Sequence, residues 1–185
     1  MITLPRQKSG DLTGYPVLKG NQALFNKYAA KTISMGIQYG FGSKDSQLGI
    51  YPPDYSEIDC SGEVRTILAY ATNGQTTKLL RVPDGSFMQD DYFRAEAFKH
   101  YGILTATDYI NAVHHKDAHM RVCFHRPAPS GRGGDTTGHV WFVYYDPTID
   151  PEPITYESYG HHGPGHRPYN HLWFLQHCDD VYVLW

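Results

Sequence analysis

Apolar residues follow a helical rhythm in the first part of the chain and a strand-like alternation in the second. From Asn21 to Met35, Leu24, Phe25, Tyr28, Ala29 and Ile33 recur at helical spacing, predicting an amphipathic helix that Gly36 ends. Tyr39-Gly40-Phe41-Gly42 and the Pro52-Pro53 turn then predict a loop with tight backbone bends. That loop delivers the chain to Asp59-Cys60-Ser61-Gly62. Val64, Ile67, Leu68 and Ala71 follow at three- and four-residue steps on the face that carries Cys60, with Asp59 as N-cap and Asn73-Gly74 as the stop. Residues 90–113 read as helix in pieces. Beyond them Met120, Val122 and Phe124 alternate with Arg121, Cys123 and His125, and a Gly-rich loop from Ser130 to Gly138 precedes the apolar run His139 to Tyr145. Further strands are predicted at Ile154 to Tyr159 and Val181 to Trp185. Helices before strands is the order of an α+β domain with an antiparallel sheet. With no internal repeat and no linker, residues 1–185 read as a single domain.

Composition narrows the class of function. Hydrophobic residues at 41% and charged residues at 19% are those of a folded globular protein. A net charge of −3, with Lys and Arg scattered, offers no basic field for nucleic acid and no polybasic patch for membranes. The 15 Tyr, 12 Pro and 18 Gly suit a sheet-rich protein with long ordered loops, whether the aromatics line a groove or only a core. Met1 to Gly10 lacks the apolar run of a signal peptide, and nowhere are there the roughly 18 consecutive apolar residues of a membrane span. Synthesis in a cytoplasm is therefore expected, with another route to any outside target. Three cysteines, Cys60, Cys123 and Cys178, are an odd number at wide spacings, which argues against a disulfide framework and leaves at least one thiol unpaired.

A thiol attacks as thiolate, a form favoured by a helix N-terminus and a nearby imidazolium. Cys60 has the predicted helix start. Among 11 histidines, His139 is the best partner, because it opens an apolar strand straight after a Gly-rich loop. Strand periodicity places Thr155, Glu157 and Tyr159 on one face, so Glu157 is the natural group to orient the imidazole. Taken singly, each of the three has a plain structural role: a core thiol, a hydrogen-bonded strand histidine, a solvated carboxylate.

The ordered set resembles a known family. Asp59-Cys60-Ser61-Gly62 before a helix, then Gly138-His139-Val140 opening a strand, look like the NlpC family of cell-wall cysteine peptidases, compact relatives of papain. Gly36-Ile37-Gln38-Tyr39-Gly40-Phe41-Gly42 is similar to that family's tyrosine and glycine loop, and Arg81 to Ser86 with Gln89 to the stretch after its nucleophile helix. The resemblance runs from about residue 21 to residue 160. It implies a papain-like fold, with N-terminal helices, the nucleophile at a helix N-terminus, and that helix packed on an antiparallel sheet. It also implies cofactor-free hydrolysis of peptidoglycan stem peptides, typically between D-glutamate and diaminopimelate, through a thioester. Cys60 would attack, His139 would move the proton, and Glu157 would hold the third position, which varies within the family. Tyr39 would line the site, and the Cys60 N–H would help hold the oxyanion. Asp59, Ser61, His161 and His162 are expected to contact substrate around these. The chain departs from the pattern at Glu63, usually apolar, and in lacking a Gly-Asp turn between Lys116 and Met120. The stretches from Tyr39 to Cys60 and from Cys60 to His139 are also longer than usual. A divergent branch fits these departures, such as a phage lysin or an antibacterial effector injected into a competitor and countered by an immunity protein.

Two other classes compete. His161-His162-Gly163-Pro164-Gly165-His166, with His171 and His177, could bind zinc and serve a metal-dependent amidase. The Gly and Pro residues predict instead a flexible polar loop beside the cleft, with no metal bound, and from it His161 or His162 could replace Glu157 as orienting group. A non-catalytic cell-wall binding module is the remaining alternative.

Overall fold

The computed structural model describes residues 19–43, 48–74, 119–125, 139–168 and 180–185. The helical segment expected at 90–113, the loop 130–138, Arg81 to Gln89, His171, His177 and Cys178 lie outside these residues. Helix α1 spans Gln22–Met35 and α2 spans Cys60–Ala71. Two short strands, β1 (Gln38–Tyr39) and β2 (Glu57–Ile58), lie between them. The remaining strands are β3 (Arg121–His125), β4 (His139–Tyr144), β5 (Ile154–Tyr159), β6 (Gly163–Pro168) and β7 (Asp180–Val183). The protein thus mixes helix and sheet in the α+β manner. No helix among the described residues is long and apolar enough to cross a membrane.

Asn21 caps α1 by accepting the Leu24 N–H at 3.1 Å, and Gly36 ends it in the left-handed conformation at φ 64°. The buried stripe is Phe25, Tyr28, Ala29 and Thr32. Ile33, expected inward, is 39% exposed. Thr32 takes the inward place because its hydroxyl has partners there, the Ala29 carbonyl at 2.9 Å and Tyr156 Oη at 2.5 Å. The Asn21 N–H donates to the Ala71 carbonyl at 2.9 Å, which ties the start of α1 to the end of α2.

The large sheet runs β6-β5-β4-β3-β7, antiparallel throughout. Val122, Val140, Phe142, Tyr144, Ile154 and Tyr156 form one face and pack with Phe25, Tyr28, Val64, Ile67 and Leu68 of the helices into a single core. Phe25 sits edge-on to Phe142, Tyr144 and Tyr156, with ring centroids 4.9 to 5.7 Å away. The last strand begins one residue earlier than the alternation suggests. Its pairing continues past Val183, with the Leu184 N–H on the Met120 carbonyl and the Met120 N–H on the Trp185 carbonyl.

Two segments depart from expectation. The stretch read as loop contains β1 and β2 paired in parallel, Tyr39 beside Ile58. The Gly-Pro segment read as a flexible loop is the edge strand β6, in which Pro164 faces Ser158 and Pro168 faces Ile154. An edge strand needs donors on one side only, so proline is tolerated there. Gly163 at φ 61° lets β6 close on the first sheet: a Cβ at this position would stand 1.9 Å from the Ile37 carbonyl oxygen.

Inside the core lies a buried carboxylate, Glu63. Tyr55 donates to it at 2.9 Å, and Tyr156 donates to its other oxygen. Tyr28 lies 3.1 Å from Tyr55, hydroxyl to hydroxyl. Burial, and after it the charge of Glu63, holds the Tyr55 and Tyr156 phenols far above their ordinary range, so both remain donors. Glu63→Ala would remove the acceptor that the Tyr55 and Tyr156 phenols share and open a cavity, so unfolding in urea should show a loss on the order of 3 kcal/mol. Tyr156→Phe, which removes one donor, should lose less. A Glu63→Ala variant as stable as the parent would mean that Tyr28 and Thr32 satisfy the two phenols without the carboxylate.

Candidate active site

Helix α2 begins where its cap dictates. Asp59 Oδ1 accepts the Gly62 N–H at 2.7 Å and the Ser61 hydroxyl at 3.1 Å, and both side chains are buried. Cys60 is thereby the first helical residue, at the positive end of the helix, 7% exposed. Asp59 and Ser61, expected to contact substrate, have these side-chain oxygens engaged in the cap.

Two bonds fix the position of this helix start against the rest of the protein. The Ser158 hydroxyl donates to the Ile58 carbonyl at 2.8 Å, and the Asp59 N–H donates to the Ser43 carbonyl at 3.0 Å. Ser158 belongs to β5 and neighbours Glu157, so the strand carrying the carboxylate also grips the segment carrying the thiol.

His139 opens β4. Its Nε2 lies 2.6 Å from Glu157 Oε2, and its ring hydrogen-bonds the Cys60 side chain. With Nε2 committed to the carboxylate, Nδ1 is the nitrogen left for the thiol. Trp141 stacks on the imidazole at 5.4 Å and 17°, and Tyr159 meets it edge-on at 6.2 Å. These neighbours leave the ring little freedom. The structure therefore brings Cys60, His139 and Glu157 together in that order.

Burial acts to lower the pKa of His139. The hydrogen bond to Cys60, the one to Glu157, and the charges of both outweigh it and raise the value to about 9. A thiol, an imidazolium and a carboxylate so arranged can form a thiolate–imidazolium pair and pass one proton between sulfur and a bound substrate.

Other expected residues surround this line. Tyr39 is half-buried beside Ile58, which lies two residues before Cys60. His162 is exposed and stacks on Tyr159 at 5.5 Å, while His161 is exposed in the turn at φ 65°. Neither takes the place of Glu157 on His139. His166 faces the core side, where its Nε2 is 2.8 Å from the Tyr144 hydroxyl, and burial lowers its pKa. The histidines of the hairpin thus point in different directions, and among the described residues no three His, Cys, Asp or Glu side chains gather as a metal site.

Sequence reasoning missed Arg167. Its Nε lies 3.0 Å from Glu157 Oε1, and its guanidinium lies over the Tyr159 ring at 4.8 Å. The only signal was its place in a strand that the Gly and Pro residues disguised. Compared with models of protein families, with curated proteins and with solved structures, the chain matches none.

The raised pKa of His139 has a consequence for stability. Its folded-state value of about 9 exceeds the ordinary 6.5, so the imidazolium's contribution is complete below pH 6.5 and is lost as pH rises to about 9. Urea unfolding as a function of pH should show this decline in the wild type and not in His139→Gln. A parallel decline in both would place the effect elsewhere.

Proposed function

We propose that the protein is a papain-like cysteine peptidase of the NlpC type that hydrolyses amide bonds in peptidoglycan stem peptides. The observation that carries this reading is the line from a capped helix N-terminus through Cys60 and His139 to Glu157, with the imidazole hydrogen-bonded on both sides.

In the proposed reaction the Cys60 thiolate attacks the carbonyl carbon of the scissile amide. The Cys60 N–H, at the start of the helix, faces the developing oxyanion. His139 gives its proton to the departing amine as the C–N bond breaks, leaving a thioester on Cys60. Water then attacks the thioester, His139 takes the water's proton, and the acid leaves as the thiolate returns. Glu157 holds Nε2 throughout, so Nδ1 always faces the sulfur. Tyr39 and His162 would border the bound peptide. The D-glutamyl-diaminopimelate bond is the target suggested by the resemblance to the NlpC family. Action on a cell wall reached by lysis or injection, with an immunity protein in the second case, belongs to the same reading.

The test is digestion of purified peptidoglycan, with the fragments identified by mass spectrometry. Cleavage within stem peptides is expected, surviving EDTA and abolished by iodoacetamide. Loss with EDTA and survival after alkylation would favour a metal-dependent amidase. No cleavage, together with slow alkylation of Cys60, would favour a binding module.

Substitutions sharpen the assignment. Cys60→Ala should be folded and inactive, and Cys123→Ala should keep most activity. Removing the orienting carboxylate in Glu157→Ala should lower kcat by about 100-fold with little change in KM, near the lower end for general acid–base steps. Glu157→Gln, which keeps an acceptor oxygen, should lose less. Near-normal turnover in Glu157→Ala, with loss in His162→Ala, would move the orienting role to the turn.

A further inference from the structure

Arg167 takes no part in the hydrolysis as written, yet it stands against the buried end of the catalytic line. The Glu157 side chain is fully buried. Its Oε2 is committed to His139, and its Oε1 accepts no hydrogen bond. What faces Oε1 is the Arg167 Nε at 3.0 Å, a charge contact without hydrogen-bond alignment. The register explains the approach. Gly165 lies directly opposite Glu157, so no side chain stands between the carboxylate and the next residue on that face of β6, Arg167. Tyr159, under the guanidinium at 4.8 Å, holds it in place.

During turnover His139 alternates between imidazolium and neutral imidazole. While it is charged, Glu157 has two counter-charges. While it is neutral, Arg167 is the cation that remains beside a buried carboxylate, where an uncompensated charge is costly. Arginine suits this task because it keeps its proton at any working pH. We propose that Arg167 is a positioning residue that acts on His139 through Glu157, keeping the carboxylate compensated and aimed at Nε2 in both halves of the catalytic cycle. The proposal rests on the cysteine-peptidase reading.

A double-mutant cycle tests it, with kcat and KM measured on a soluble stem peptide. Arg167→Gln should lower kcat by about 10- to 100-fold, the usual effect of losing a group that orients a site residue, with KM nearly unchanged. Arg167→Lys, which keeps the charge without the fixed fork, should fall in between. In a Glu157→Gln background Arg167→Gln should have little further effect, because the carboxylate through which it acts is gone. If Arg167→Gln does not fold, Arg167→Lys takes its place in the cycle. Equal losses in both backgrounds, or a rise in KM alone, would overturn the proposal while leaving the peptidase reading intact. A wild-type enzyme with a slow Cys60 thiol and no hydrolysis would remove both.

Discussion

A carboxylate sealed in an apolar core must be met by donors, and Glu63 imposes that condition on three other parts of this protein. Its donors are Tyr55 from the segment before Cys60 and Tyr156 from β5, with Tyr28 and Thr32 of α1 bonded to those phenols in turn. A shift of any of these groups breaks one of these bonds, and a buried polar group that loses its partner costs about 1–3 kcal/mol. The network therefore does what an apolar residue at position 63 could not. It specifies an orientation as well as a burial. Glu63 lies one helical turn beyond Cys60, and Tyr156 immediately precedes Glu157. The distance between helix start and strand, on which the candidate site depends, is thus set by the Glu63 hydrogen bonds and by Ser158 on the Ile58 carbonyl.

The electrostatics of the site follow from where these elements meet. Burial alone would favour a neutral His139. Contact with Cys60 on one side and Glu157 on the other reverses that preference, so the imidazolium is the favoured form up to about pH 9. The same arrangement concentrates charge in a poorly solvated place: a cysteine at a helix end, an imidazole with 12% of its side chain exposed, and a carboxylate with none. Such a line is stable only if each charge has a partner of opposite sign. Arg167 at the far end and the helix terminus at the near end supply what the three central groups cannot supply for each other.

Much of this was legible in the sequence, for identifiable reasons. Helix α2 announced itself through Asp59 and the spacing of Val64, Ile67, Leu68 and Ala71, all local signals. Strand β5 did so by alternation, which put Glu157 and Tyr156 on opposite faces as observed. What escaped was whatever depended on partners distant in the chain. Thr32 buries itself and Ile33 does not because of a hydroxyl contributed 124 residues later. Glu63 looked like a departure from an apolar position because the phenols that satisfy it come from two other segments. The pairing of β1 with β2 has only two residues on each side, too few for any periodicity to register. Strand β6 was hidden by Gly and Pro, whose usual meaning as turn residues fails at a sheet edge.

That hidden strand is also what makes the site more than a pair of reactive groups. The β5–β6 hairpin contributes Glu157, Tyr159, His162 and Arg167, so orientation of the imidazole, compensation of the carboxylate and one aromatic border of the site come from a single supersecondary unit. Gly163 seats the same hairpin against Ile37, next to the strand that carries Tyr39. The thiol comes from elsewhere, on a helix whose position is held by Ser158 of that very hairpin. A change at the β5–β6 turn can therefore alter the border of the site without disturbing the Glu63 network, because the turn residues His161 and His162 are exposed and the network lies on the opposite face of β5. Variation at the turn would reshape that border and leave Cys60, His139 and Glu157 in place. Variation at Tyr156 or Ser158, four and two residues before the turn's Gly160, would move Cys60 itself.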